Sequence, residues 1–128
     1  MAGVVLLDQI SKFVVARQKL FHLKVIQNPG LPFGIDLPGF FDLAVVAVSL
    51  IIFLILYLHS SPRGQTDPGF ALIVGGAVSN LIDRLPDGTV MDFINIGVST
   101  LNVADIAIMV GIIWLFIAIC YKKSTPRQ

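Results

Sequence analysis

Apolar positions in this chain come as long runs rather than at helical or strand spacing. LAVVAVSLIIFLILYL, residues 43–58, is broken only by Ser49, and it extends back to Gly39. VADIAIMVGIIWLFIAICY, residues 103–121, carries one acid, Asp105, near its start. A bilayer core of about 30 Å needs roughly 20 mostly apolar helical residues, and both runs satisfy that length. FALIVGGAVSNLI, residues 70–82, is shorter, and its Gly75, Gly76, Ala77 and Ser79 suit close helix packing. At the N-terminus AGVVLL is followed at once by Asp8 and Lys12, an i,i+4 pair sharing one helix face. The pattern predicts helices over about 2–18, 39–59, 68–85 and 102–122, the first of them short or truncated.

The polar segments between these runs punctuate differently. Residues 20–38, LFHLKVIQNPGLPFGIDLP, alternate crudely at HLKVI and turn at NPG, LP and FG, which predicts short strands and loops lying on the membrane. HSSPRGQTDPG, residues 59–69, is a polar loop, and GTVMDFINIGVST, residues 88–100, is a β-like connector. The fold class expected is mainly α: a polytopic four-helix transmembrane bundle with a small β-like outer-face segment at 20–38, forming a single domain over 1–128.

Composition sharpens this picture. The chain is 55% hydrophobic and 13% charged, too apolar for a soluble domain of 128 residues. Its net charge is +1 and its basic residues are scattered, so the footprint of a nucleic-acid partner is missing. A single cysteine, Cys120, excludes an internal disulfide and a CxxC motif. No basic region follows Met1, so a cleavable signal peptide is not expected. Lys122, Lys123 and Arg127 assign the C-terminal tail to the cytoplasm, and the loop with Arg63 to the same side. The connector 85–101 has no Lys or Arg and belongs outside. The segment with Arg17, Lys19 and Lys24 then also lies outside, against the charge rule, which the other three segments outweigh.

In so apolar a chain the carboxylates stand out. Asp83, Arg84, Asp92, Asn102 and Asp105 all gather at the outer ends of the third and fourth spans in this topology, with Asn80 sharing a helix face with Asp83 and Arg84. Intramembrane carboxylates are rare and face protein or water. The short connector lets Asp92 and Asp105 converge. Two close carboxylates share a proton, so one serves as general base on a water while the other acts as acid. That is aspartic-protease chemistry. Other readings stand beside it. Asp83–Arg84 reads as an interfacial ion pair, and Asp87 as part of a Pro-Asp-Gly turn. Asn102 reads as a helix cap, and Asp105 as a partner of the helix dipole. His22 and His59 fall on opposite sides of the membrane, which leaves no Ser/His pair, and carboxylates without a placed His make a poor zinc site. A transporter with an Asp proton relay and a metal-dependent hydrolase are the rival classes.

The same residues resemble the motifs of the lipoprotein signal peptidase family, also called signal peptidase II. VVLLDQISK resembles its Asp-Gln-x-x-Lys segment, and QNPGLPFG its Asn-x-Gly-x-x-Phe segment. GGAVSNLIDRLPDGTVMDFI is similar to its Gly-x-x-x-Asn-x-x-Asp-Arg…Gly-x-Val-x-Asp-Phe-Ile block, and LNVADIAI to its Phe-Asn-x-Ala-Asp-x-x-Ile block. The resemblance implies a bacterial inner-membrane aspartic protease with no metal or organic cofactor. Asp92 and Asp105 would be its catalytic pair. Asn80, Asp83, Arg84, Asn102 and Ala104 would surround them, and Asp8, Lys12 and Asn28 would support the site. The implied substrate is a prolipoprotein carrying diacylglyceryl on its lipobox cysteine, cleaved on the amino side of that cysteine by a monomer among membrane lipids. A catalytically defective copy is the alternative within the family. The N-terminus and the Asp92–Asp105 linker are short for the family, and Ser79 stands where Gly is common.

Overall fold

A computed structural model describes residues 1–17, 25–28, 41–59 and 67–124. In chain order these form α1 (Ala2–Arg17), β1 (Ile26–Asn28), α2 (Phe41–His59), α3 (Asp67–Asp87), β2 (Val90–Asp92), β3 (Ile94–Asn95), β4 (Thr100–Leu101) and α4 (Val103–Ser124). All four helices expected from the apolar runs are present, with ends shifted by two residues or fewer. Of the expected outer-face segment 20–38, only 25–28 falls within the described residues, and 26–28 form a strand. Within the described residues no helix presents a stretch long and apolar enough to cross a membrane.

The helix α3 is the centre, packed most closely on α4 and also touching α1 and α2. Small residues set how near its neighbours come. A Cβ on Gly69 would stand 2.8 Å from the Gly111 carbonyl oxygen, and one on Gly111 would stand 2.7 Å from that of Gly69. One turn pair further on, a Cβ on Gly76 would meet the Ala104 carbonyl at 2.5 Å. The two antiparallel helices therefore touch backbone to backbone at both levels, the device by which helices pack where no water drives them together. Gly75 does the same for α1, since a Cβ there would lie 2.9 Å from both the Met1 oxygen and the Val4 Cβ. On the opposite side α2 leans on α3 through a stack of rings, with Tyr57 3.6 Å and Phe53 5.4 Å from Phe70 between centroids.

Between α3 and α4 the chain makes two short ribbons. The left-handed Gly88 (φ 77°) ends α3, its N–H returning to the Arg84 carbonyl at 2.9 Å. β1 pairs antiparallel with β2, Ile26 opposite Asp92 and Asn28 opposite Val90, and β3 pairs with β4. The connector read as β-like is thus two hairpin-sized pieces, the second turning at Gly97 (φ 89°).

Burial runs opposite to that of a water-soluble domain. Asp8, Lys12, Ser79, Asn80, Arg84, Asp92 and Asn102 are buried, while Leu7, Ile10, Ile55, Ile113, Phe116 and Ile117 are exposed. The polar interior lies at one end of the bundle, where α1, α3 and the start of α4 meet the ribbons.

Candidate active site

The start of α4 organises the site. Asn102 precedes the helix, and its Oδ1 accepts the Asp105 N–H at 2.9 Å; Asp105 Oδ2 in return accepts the Asn102 N–H at 3.2 Å. This reciprocal cap is the capping box, here with Asp at its third position. The cap reading of Asn102 therefore holds, and it does not displace the chemical one. The same Asn102 sends one Nδ2 proton to Asp92 Oδ1 at 2.8 Å and the other to Asn80 Oδ1 at 3.0 Å. Asn80 completes the circuit, donating from Nδ2 to Asp105 Oδ1 at 2.8 Å. Asn28 on β1 adds a bond of 3.2 Å to Asp92 Oδ2.

Two carboxylates are thus joined through a pair of asparagines, each giving one donor to a carboxylate oxygen, with Asn102 giving its other to Asn80. Asp92 is 3% exposed, whereas Asp105 is only partly buried. Burial pushes the Asp92 carboxyl above its ordinary value, opposed by the bonds from Asn28 and Asn102. The charge of Asp105 raises it further, and that of Lys12 lowers it. An Asp92 that keeps its proton to higher pH beside a second carboxylate is the electrostatic condition for a shared-proton pair.

A second polar cluster lies behind the first. Lys12 Nζ stands 2.5 Å from Asp8 Oδ2 and 2.6 Å from Asp83 Oδ2. Asp8, fully buried, also accepts from Ser79 Oγ at 2.7 Å and from the Ala104 N–H at 2.9 Å. That last bond satisfies a backbone donor in the first turn of α4, one residue before Asp105. Gln9 Nε2 donates to Asp83 Oδ1 at 2.8 Å and to Ser79 Oγ at 3.1 Å. Arg84 donates to the Asn80 carbonyl at 3.3 Å. Ala104 has no exposed surface and lies where Gly76 lets α3 approach.

Each candidate taken from the sequence therefore falls in one of two joined clusters. Asp92, Asp105, Asn80, Asn102 and Asn28 make the first. Asp8, Lys12, Asp83 and the Ala104 N–H make the second, and Arg84 is tied to Asn80 between them. Three details were not read from the sequence. Asp83 pairs with Lys12 across helices, a partner set by tertiary contact. Ser79, read as a packing position, is a hydrogen-bond donor to Asp8. Gln9 was passed over although it sits between Asp8 and Lys12 in the Asp-Gln-x-x-Lys segment. Asp87 makes the expected turn, its Oδ1 accepting the Thr89 N–H at 3.0 Å.

Beside β2 an apolar groove of about 530 Å³ runs along α1, lined by Leu6, Ile10, Phe13 and Met91 with Gln9 and Lys12 at its polar side.

The family model for Signal peptidase (SPase) II matches residues 1–121. Relatives include the lipoprotein signal peptidase of Halothermothrix orenii, 36% identical over 84% of this chain and 83% of that protein. That of Moorella thermoacetica is 35% identical over 96% of this chain and 89% of its own length. That of Nitratidesulfovibrio vulgaris is 33% identical over 99% and 90%. Among solved structures, a bacterial membrane enzyme determined by the in meso method at 2.3 Å resolution superposes with a TM-score of 0.82 over 99% of this chain and 88% of that one. At 22% identity that likeness speaks for the fold. A second bacterial membrane enzyme, at 1.9 Å resolution, gives a TM-score of 0.76 at 25% identity over 92% of this chain and 88% of that one. With the family matched from Met1 almost to the tail and relatives similar across nearly their whole length, the chain belongs to the signal peptidase II family.

Proposed function

We propose that this chain is the aspartic endopeptidase that removes signal peptides from diacylglyceryl-modified prolipoproteins, cutting on the amino side of the lipidated cysteine, with Asp92 and Asp105 as its catalytic pair. The observation that carries the reading is the asparagine circuit: Asn102 and Asn80 tie the two carboxylates together through bonds of 2.8–3.0 Å. One carboxylate takes a proton from water as it attacks the scissile carbonyl carbon. The other gives its proton to the carbonyl oxygen, forming a tetrahedral diol. As that species collapses, a carboxyl proton passes to the leaving amine and the C–N bond breaks. The pair acts as a unit, and its protons belong to both groups.

The four helices are read as a multi-pass bundle in the bacterial inner membrane, with the site at the outer face and the C-terminus in the cytoplasm. Two observations support this: apolar side chains such as Phe116 (69% exposed) and Ile117 face outward, and the structural neighbours are bacterial membrane enzymes. α4 as a whole, 22 residues, rises about 33 Å. The groove beside Met91 suits a substrate bearing alkyl chains. The protein works as a monomer among lipids, without cofactor or nucleic acid.

The test is a gel-shift assay of the purified chain in nanodiscs with lipidated and unlipidated prolipoprotein. Cleavage of the lipidated form alone, lost in Asp92→Asn and in Asp105→Asn, is the expected result. Full cleavage by either variant would overturn the assignment of the pair.

A further inference from the structure

β1 carries Asn28 to Asp92, yet it is three residues long and pairs with one strand of three among the described residues. Two-stranded ribbons of this length are marginal, and their register is weakly held unless side chains fix it. A slip of one residue would move Asn28 to the other face, away from Asp92.

The ribbon has one side-chain tie on each face. On the buried face Asn28, opposite Val90, reaches diagonally forward to Asp92. On the exposed face Gln27, opposite Met91, reaches diagonally back to Thr89, its carboxamide 2.9 Å from the Thr89 hydroxyl. Diagonal neighbours of this kind lie within side-chain reach. The two ties run in opposite directions along β2, so sliding β1 either way lengthens one of them. Thr89 is itself fixed: its Oγ1 lies 2.9 Å and its N–H 3.0 Å from Asp87 Oδ1, at the glycine that ends α3. A hydroxyl has one proton to give. The structure sets both Asp87 Oδ1 and Gln27 Oε1 against that hydroxyl; with its proton given to the Asp87 carboxylate, a Gln27 amide turned nitrogen-first donates to it and satisfies both neighbours.

We infer that Thr89, anchored on Asp87 and bonded to Gln27, is a positioning residue that holds β1 in the register at which Asn28 meets Asp92. This rests on the reading of Asp92 as a catalytic carboxylate and adds a device on the far face of the ribbon. Its effect at Asp92 is electrostatic. The Asn28 amide favours the ionised carboxylate, alongside Asn102 and the charge of Lys12 on α1, and against burial and the charge of Asp105 on α4. Among the described residues the other charged groups of the two clusters are Asp8 on α1 and Asp83 and Arg84 on α3, and the latch touches none of them.

The experiment measures kcat and KM for lipidated prolipoprotein across pH, with the full chain in nanodiscs. Thr89→Val keeps the shape and removes the hydroxyl. It should lower kcat about three- to tenfold, the worth of one hydrogen bond, with a smaller change in KM. Its bell-shaped profile should move to higher pH. Asn28→Ala should move the bell the same way, Gln27→Leu should reproduce the shift from the other strand, and Thr89→Ser should restore the wild-type profile. Adding Thr89→Val to Asn28→Ala should shift the bell no further. A wild-type profile in Thr89→Val, or fully additive shifts in the double variant, would overturn the latch. Either result leaves the Asp92→Asn and Asp105→Asn test standing, so the latch and the catalytic pair fail separately.

Discussion

Asn102 binds Asp92 through its side-chain nitrogen at 2.8 Å while its own oxygen caps the helix that begins with Asp105. One amide thereby fixes both the distance between the two acids and the start of α4. Asn102→Ala removes a cap and leaves Asp92 one donor short in a buried setting. We expect kcat to fall by about 10- to 100-fold, consistent with the loss of a charge-assisted bond of about 1.5–3 kcal/mol. A loss confined to melting temperature, with kcat per folded molecule unchanged, would reduce Asn102 to a cap.

Asp92→Asn and Asp105→Asn are each expected to lower turnover by about 10²–10⁴-fold, the usual worth of a general acid or base. Each keeps the volume of the side chain and one of the two hydrogen bonds that the carboxylate accepts. Melting should therefore fall modestly while cleavage disappears, and single-turnover cleavage set beside a thermal melt checks both.

Lys12 is 5% exposed and faces two carboxylates, so Lys12→Met would leave Asp8 and Asp83 buried against each other. Breaking one side of a buried ion pair costs about 3–5 kcal/mol. The variant should melt far below wild type, and Lys12→Arg, which keeps the charge, should recover part of the difference. A deficit as large in Lys12→Arg would mean that the shape of Lys12, not its charge, holds the cluster.

Burial raises Asp92 above the ordinary carboxyl value of 3.8. The folded chain therefore keeps a proton there that the unfolded chain has released. The stabilising contribution is complete below the unfolded value and is lost as pH rises through the raised folded value. Asp92→Asn removes it. The melting temperature of wild type minus that of Asp92→Asn should fall as pH is raised from about 4 toward neutrality. Parallel curves would place the titration elsewhere.

Gly76→Leu should prevent α3 and α4 from closing, because even a Cβ at that position meets the Ala104 carbonyl at 2.5 Å. Overpacking of a close seam costs about 1–3 kcal/mol or more. The change also moves Asn80, one turn away on the same helix, off Asp105. Activity should fall further than stability; equal losses would detach the seam from the site.

The helices α2 and α4 were legible from their long apolar runs, and α3 from its small packing residues. Their ends moved little, since Gly88 and Asn102 mark them chemically. The pair Asp92 and Asp105 was legible from the scarcity of acids in an apolar chain, and Asp8 with Lys12 from their i,i+4 spacing. What the sequence left open depends on contacts between distant elements. Nothing in the spacing links Lys12 to Asp83, 71 positions away, or Ser79 to Asp8. Nothing in the spacing marks Gly69 and Gly111 as a contact either; the antiparallel crossing brings them together. The double role of Asn102 was half visible: its cap is local, but its bond to Asp92 depends on where the ribbon carries that residue.

The reciprocal cap at Asp105 links the reaction to the folding of the chain. A carboxylate that accepts the first N–H of a helix holds that helix's end, and a proton arriving there weakens its hold. Under the proposed mechanism each turnover brings such a proton to the pair. Asp8, bonded to the Ala104 N–H, holds the same turn of α4 from a second carboxylate.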